Sequence, residues 1–124
     1  MQTSAPAFGP AIPILRMFDV PATRAFYVGY LGFSWDWEHR FAPDLPLYAG
    51  ISIGGVTVHL TQHHGDATPG SALLLRVQGI EGFHAALAKD YGFARPGLEE
   101  APWGSRILRV TDPAGNRLTF EEPH

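Results

Sequence analysis

The second half of this 124-residue chain repeats the first at an offset of 60 positions. Leu15-Arg16 recurs as Leu75-Arg76, Ala25 as Ala85, Gly32-Phe33 as Gly92-Phe93, and Gly55 as Gly115. So few identities carry little weight by number. Their placement carries more, because they fall at a strand end, a helix stop and a hairpin turn in both halves. A duplicated unit of this size is one supersecondary motif that buries its apolar face against its copy. The chain is therefore expected to be one compact domain built from two like modules.

The local signals supply the elements of each module. Ala11 to Met17 reads as an apolar strand. Asp19 is placed to cap a helix with Pro21 in its first turn, and Gly32 is placed to stop it after Tyr30. Phe33 to Arg40 alternates, with Phe33, Trp35, Trp37 and His39 expected on one face. Phe41 to Pro46 reads as a loop. Leu47 to Ile53 and Val56 to Thr61 flank Gly54-Gly55, a hairpin signal. The polar stretch 63–71 is the expected linker between a first module at 11–62 and a second at 72–122, and residues 1–10 read as a flexible tail. In the second module Ala72 to Val77 is a strand, and Ile80 to about Tyr91 is a helix closed by Gly92. A short strand is placed near Phe93 to Arg95. Arg106 to Val110 and Asn116 to Glu121 are strands around Asp112-Pro113-Ala114-Gly115. The fold class is α+β: two βαβββ modules forming a mixed, curved, half-open sheet.

The repeat also assigns faces. Leu15, Met17, Val56, Val58, Leu60, Leu73, Leu75, Val77, Leu118 and Phe120 fall on one side and should pack under the helices. Ile12, Ile14, Arg16, Thr57, His59, Thr61, Ala72, Leu74, Arg76, Arg117, Thr119 and Glu121 fall on the other. A mixed face opposite an apolar one suits a concave surface that holds a ligand.

Composition narrows the function classes. The net charge is −3 with no basic run, which disfavours nucleic acid as a partner. There is no cysteine, so disulfides, thiolate catalysis and cysteine-based zinc sites are excluded. No apolar run is long enough to span a bilayer. Residues 1–10 lack the charge and apolar core of a signal peptide, so a cytoplasmic location is expected. No Ser-His-Asp order, phosphate loop or dinucleotide fingerprint is visible.

Several short motifs remain: Leu15-Arg16-Met17-Phe18-Asp19-Val20, Phe26-Tyr27, Leu31-Gly32-Phe33, Pro102-Trp103-Gly104 and Thr111-Asp112-Pro113-Ala114-Gly115-Asn116-Arg117. Through them the chain resembles the vicinal-oxygen-chelate superfamily of glyoxalases, extradiol dioxygenases and bleomycin-resistance proteins, over about residues 11–122. The Pro-Trp-Gly before the Asp-Pro-x-Gly-Asn turn is most similar to the bleomycin-resistance branch. The resemblance places the superfamily's four metal-ligand slots at Ile12, His59, Ala72 and Thr119. Only His59 can ligate there, and one imidazole does not hold zinc. No metal, cofactor or catalytic residue is therefore expected.

The candidate ligand-binding residues are Trp103, Trp37, Phe41, Tyr48, His59 and Trp35. The resemblance puts Trp37 and Phe41 where the bleomycin-resistance proteins present aromatics to the drug. Trp103 lies on a turn, where its ring needs cover from a ligand or a partner chain. Ordinary core or dimer packing is the competing reading for each ring. His63-His64-Gly65-Asp66 reads as a solvated loop before a metal site. Glu99-Glu100, Asp36 and Glu38 read as solvated charge before a field for a cationic ligand. The expected function is a homodimer that sequesters a small aromatic, cationic antibiotic, bleomycin-like, in a groove between subunits without chemistry. The alternative is a glyoxalase-like lyase or dioxygenase-type enzyme with a degenerate or non-standard metal site. A scaffold that only dimerises is the third reading.

Overall fold

The computed structural model describes residues 4–87 and 96–124. The first module contains β1 (Ile14–Arg16), α1 (Val20–Arg24), β2 (Ser34–His39), β3 (Tyr48–Ile53) and β4 (Val56–Thr61). The second contains β5 (Ala72–Arg76), α2 (Ile80–Leu87), β6 (Glu99–Glu100), β7 (Ser105–Thr111) and β8 (Arg117–Pro123). Each module forms a four-stranded sheet. The orders are β1-β4-β3-β2 and β5-β8-β7-β6, which is the same connectivity twice. The offset read from the sequence appears in the pairing itself. Ile14 lies beside His59 and Leu74 beside Thr119; Arg16 lies beside Thr61 and Arg76 beside Glu121.

Asp19 caps α1 by accepting from the Ala22 amide at 2.9 Å, with Pro21 in the first turn. After Arg24 the helix widens into a π-turn over Ala25–Tyr30, and the Leu31 amide reaches the Phe26 carbonyl at 3.0 Å. The widening brings Phe26, Tyr27 and Tyr30 all into the core. Gly32 then takes φ of +90°, the left-handed stop that a side chain resists. The expected apolar face is the core. Leu15, Met17, Val58, Leu60, Leu75, Leu118 and Phe120 are buried, with Val56, Leu73 and Val77 packed against them.

Four expectations need correction. The first strand is shorter than 11–17, because Pro10 and Pro13 have no amide to give a ladder; only the Pro13 carbonyl is used, by the His59 amide. In β2 the register shifts between Trp35 and Trp37, so Asp36 is an extra, bulged residue. Trp35 therefore sits across from Ile51 on the core face, while Trp37 sits across from Gly50 on the opposite face. Glu99-Glu100, expected as loop, is the edge strand β6 paired with β7. Thr61 and Glu121, expected on a half-wet face, are buried. The expected strand at Phe93 to Arg95 and the helix end near Tyr91-Gly92 lie outside the described residues.

The two halves are tied by the Asp112–Asn116 turn. Asp112 accepts from the Tyr27 hydroxyl at 2.7 Å, from the amides of Ala114 and Asn116, and from the Asn116 side chain. The Asn116 amide also donates to the Arg16 carbonyl at 2.8 Å, and its oxygen accepts from the Ser71 amide. One turn of the second module thus holds the end of β1. Burial first, then the Asp112 charge and hydrogen bond, push the Tyr27 phenol far above its usual range, so it stays a donor.

Candidate ligand-binding faces

The mixed face of the first sheet carries an aromatic plate. Trp37 comes from β2, Tyr48 from β3 and His59 from β4. The Trp37 ring stacks on Tyr48 at 5.9 Å between centroids with 12° between planes, and it meets His59 edge-on at 5.1 Å. Gly50 makes this possible. A Cβ built there would lie 2.3 Å from Cε2 of Trp37, so the indole lies directly on the backbone of β3. The Tyr48 hydroxyl and Nδ1 of His59 are 2.8 Å apart. Desolvation, and then the Asp66 charge, raise the Tyr48 phenol.

The plate continues into the 41–46 loop. Phe41 is 77% exposed and packs edge-on against His39 at 4.7 Å and near His63 at 6.3 Å. His63 belongs to a turn: its amide donates to the Thr61 hydroxyl, and that hydroxyl donates to Asp66 at 2.7 Å. Trp37 remains 45% exposed, so one face of the stack is open. Trp35 is not part of it. Its ring is packed on the core and covered by the Arg24 guanidinium at 5.2 Å.

Trp103 stands apart on the second module. Gly104, with φ of +92°, turns the chain into β7, and the indole Nε1 donates to Glu121 at 2.7 Å. The carboxylate of Glu121 is buried and also meets Nε of Arg76 at 3.4 Å. The ring is thus fixed at its nitrogen while the residue stays 60% exposed. Among the described residues Trp103 makes no ring contact with Trp37, Tyr48 or Phe41.

The acidic candidates are spread out. Glu99 meets Arg109 at 3.7 Å, and Glu100 meets Arg106 at 3.6 Å and His124 at 2.6 Å. Glu38 lies across from Ala49, on the face opposite Trp37. The acid that touches a candidate ring is Glu121, to which the sequence pattern assigns a place on the sheet and no role. The four superfamily metal slots do not fit a metal. Ile12 and Ala72 offer no donor, so His59 and the Thr119 hydroxyl are left, too few to hold a metal. Among the described residues no three His, Asp or Glu side chains are grouped as a metal would require. No helix there is long and apolar enough to cross a membrane.

The family model of the glyoxalase superfamily matches residues 2–124. No curated protein matches by sequence. The fold is similar to the bleomycin-binding protein from bleomycin-producing Streptomyces verticillus, solved with copper(II)-bleomycin. The identity is 29%, 97% of this chain and 100% of that chain are covered, and the TM-score is 0.72. It is similar also to TnmS3, an antibiotic binding protein from Streptomyces sp. CB03234, at 20% identity, with 97% and 100% covered and a TM-score of 0.74. A glyoxalase-related enzyme from Clostridium phytofermentans has 19% identity, with 95% and 97% covered and a TM-score of 0.77.

Proposed function

This chain belongs to the glyoxalase superfamily, and from that premise we propose that it binds and sequesters a small aromatic, cationic molecule of the bleomycin type without breaking a bond in it. The observation that carries the reading is the open stack of Trp37 on Tyr48, seated on Gly50. A strand glycine spared for a ring that is left half exposed prepares a surface for another flat group. The likeness to the bleomycin-binding protein over nearly the whole of both chains supports it. The poor fit of the metal slots favours binding over the lyase or dioxygenase reading.

An open plate makes a weak site until something covers it. In this reading the cover is a second copy. The plate of one subunit and Trp103 of the other form the walls of a groove, and the pair is a homodimer. Exposed Ile12, Ile14 and Leu74, at the free edges of β1 and β5, supply apolar surface for such pairing. Glu121 fixes the Trp103 indole by its Nε1, so the open face of the ring is held ready for a cation.

Titration of metal-free and copper-loaded bleomycin against intrinsic tryptophan fluorescence tests the reading, with light scattering on the same samples. Saturable quenching by a dimeric species is expected. No quenching and no thermal shift at high micromolar drug would overturn the bleomycin assignment. A strictly monomeric mass would overturn the shared groove.

A further inference from the structure

A second site lies at the end of the first sheet. A shallow, open depression of about 460 Å³ lies there between β1, the 40–46 loop and the end of β4, lined by Arg16, Arg40, Asp44, Gln62, Phe18 and Leu45 among others. We propose that it binds a small monocarboxylate with an apolar body. The proposal does not rest on the antibiotic-binding reading, because its ligand has the opposite charge and other contact residues, although both sites border the 40–46 loop.

The internal repeat exposes the anomaly. Arg76 and Arg16 occupy equivalent places beside β8 and β4. Arg76 faces Glu121, which accepts from its Nε at 3.4 Å. Arg16 faces Thr61, whose hydroxyl is already committed to Asp66. Nε of Arg16 is buried and has no hydrogen-bond partner, while its guanidinium lies 4.6 Å over the Phe18 ring. A partly buried guanidinium with an unpaired N–H and no acid beside it is costly, and a carboxylate held at the rest of its head group offsets that cost.

Arg40 supplies the second cation. Its Nη1 donates to the Leu45 carbonyl at 2.7 Å, which fixes the head group against the loop and leaves its other donors uncommitted. Among the described residues neither Arg16 nor Arg40 forms an ion pair. The Gln62 side chain accepts from the Leu47 amide and donates to the Phe18 carbonyl, so it ties the walls together and keeps one N–H for a ligand. Two guanidiniums and the Asp44 carboxylate sum to one positive charge. That balance suits a carboxylate and opposes a phosphate dianion. Phe18 and Leu45 are exposed large apolar residues at the same depression, placed to cover the body of such a ligand.

The test is a nuclear magnetic resonance titration of the full chain that follows the arginine Nε–H signals, with benzoate as probe and acetate and inorganic phosphate beside it. Benzoate should give a saturable shift of the Arg16 signal and bind more tightly than either of the others. Arg16→Gln and Arg40→Gln should each weaken benzoate about tenfold, and Arg109→Gln should not. Arg40→Gln keeps the test decisive if Arg16→Gln does not fold. Absence of a saturable Arg16 shift, or benzoate affinity retained in Arg40→Gln, would overturn the site. Phosphate binding more tightly than benzoate would overturn the assignment to a carboxylate.

Discussion

In the first sheet Leu15 pairs with Leu60, and in the second Leu75 pairs with Phe120, sixty residues on in each strand. Around that common frame the two modules have diverged in side-chain chemistry. The first module's hairpin is the bare Gly54-Gly55 turn, whereas the second module's hairpin carries Asp112 and Asn116, which reach across to Tyr27 and the Arg16 carbonyl. The first module leaves Arg16 without an acid, whereas the second answers Arg76 with Glu121. Across from His59 stands Gly50 with an indole lying on it; across from Thr119 stands Arg109, tied to Glu99. The second module answers Arg76, Arg106 and Arg109 with acids, and its turn ties the two halves. The first module leaves rings and a cation open. Apolar burial keeps the duplication in register, and the polar positions on the mixed faces are where the copies differ.

The comparison breaks most visibly at the turns. Asp112→Ala removes one acceptor that serves four donors, and it strands the buried Tyr27 hydroxyl. A loss of about 3–5 kcal/mol is expected, from several buried hydrogen bonds lost at once. Gly54→Ala, at the equivalent hairpin, strains a backbone with φ of +52° but meets no neighbour, and should cost only about 1 kcal/mol. Urea unfolding of the two variants measures both. Equal losses would mean that the second turn does not tie the halves.

Much of this frame is legible in the amino-acid sequence. The offset of the repeat, the Asp19-Pro21 helix start, the Gly32 stop and the glycine hairpin are local signals with one physical meaning each. The bulge at Asp36 is not such a signal, because Phe33, Trp35, Trp37 and His39 alternate perfectly as letters while the backbone inserts one residue. The clue lies opposite, in Gly50, a glycine inside a strand that marks close approach. Strand β6 escapes the sequence pattern because two glutamates have poor strand propensity and are held by pairing to β7, by its arginines and by His124. The Arg16–Arg40 depression joins residues distant in sequence, and only the fold makes them neighbours.

The next effects are on binding. Gly50→Ala forces the Trp37 ring off the strand, since the added carbon would overlap the indole. It should weaken an aromatic ligand about 30-fold, as far as Trp37→Ala does or further, because both the stack with Tyr48 and the open face are lost. Trp103→Ala removes one wall and leaves its anchor Glu121 with Arg76, so a loss of about 3- to 30-fold is expected with the fold intact. Fluorescence titration of each variant reads these changes. Unchanged binding in Trp103→Ala with a strong loss in Gly50→Ala would confine the site to the first module.

The smallest effect concerns how the two helices begin. Asp19 caps α1 from the residue just before it. The position sixty residues on is Gly79, which has no side chain to cap α2. The task passes to Glu122 on β8, whose carboxylate accepts from the Ile80 amide at 3.0 Å and the Gly79 amide at 3.1 Å. Those bonds, Ile80 first and then Gly79, lower its pKa below the ordinary 4.5. A carboxyl lowered in the folded state stabilises the fold above its unfolded value, and that contribution is lost as the pH falls through the folded value. Glu122→Gln should therefore be modestly less stable than the parent at neutral pH, with a gap that narrows as the pH falls below 4.5 and closes in stronger acid. The exposure of Glu122 keeps the gap small, and added salt should shrink it further. Urea unfolding of both proteins across the acid range measures the gap directly. A gap that stays constant down into acid would show that the cap works as well neutral as charged, and that the remote cap of α2 differs from the local cap of α1 in position only.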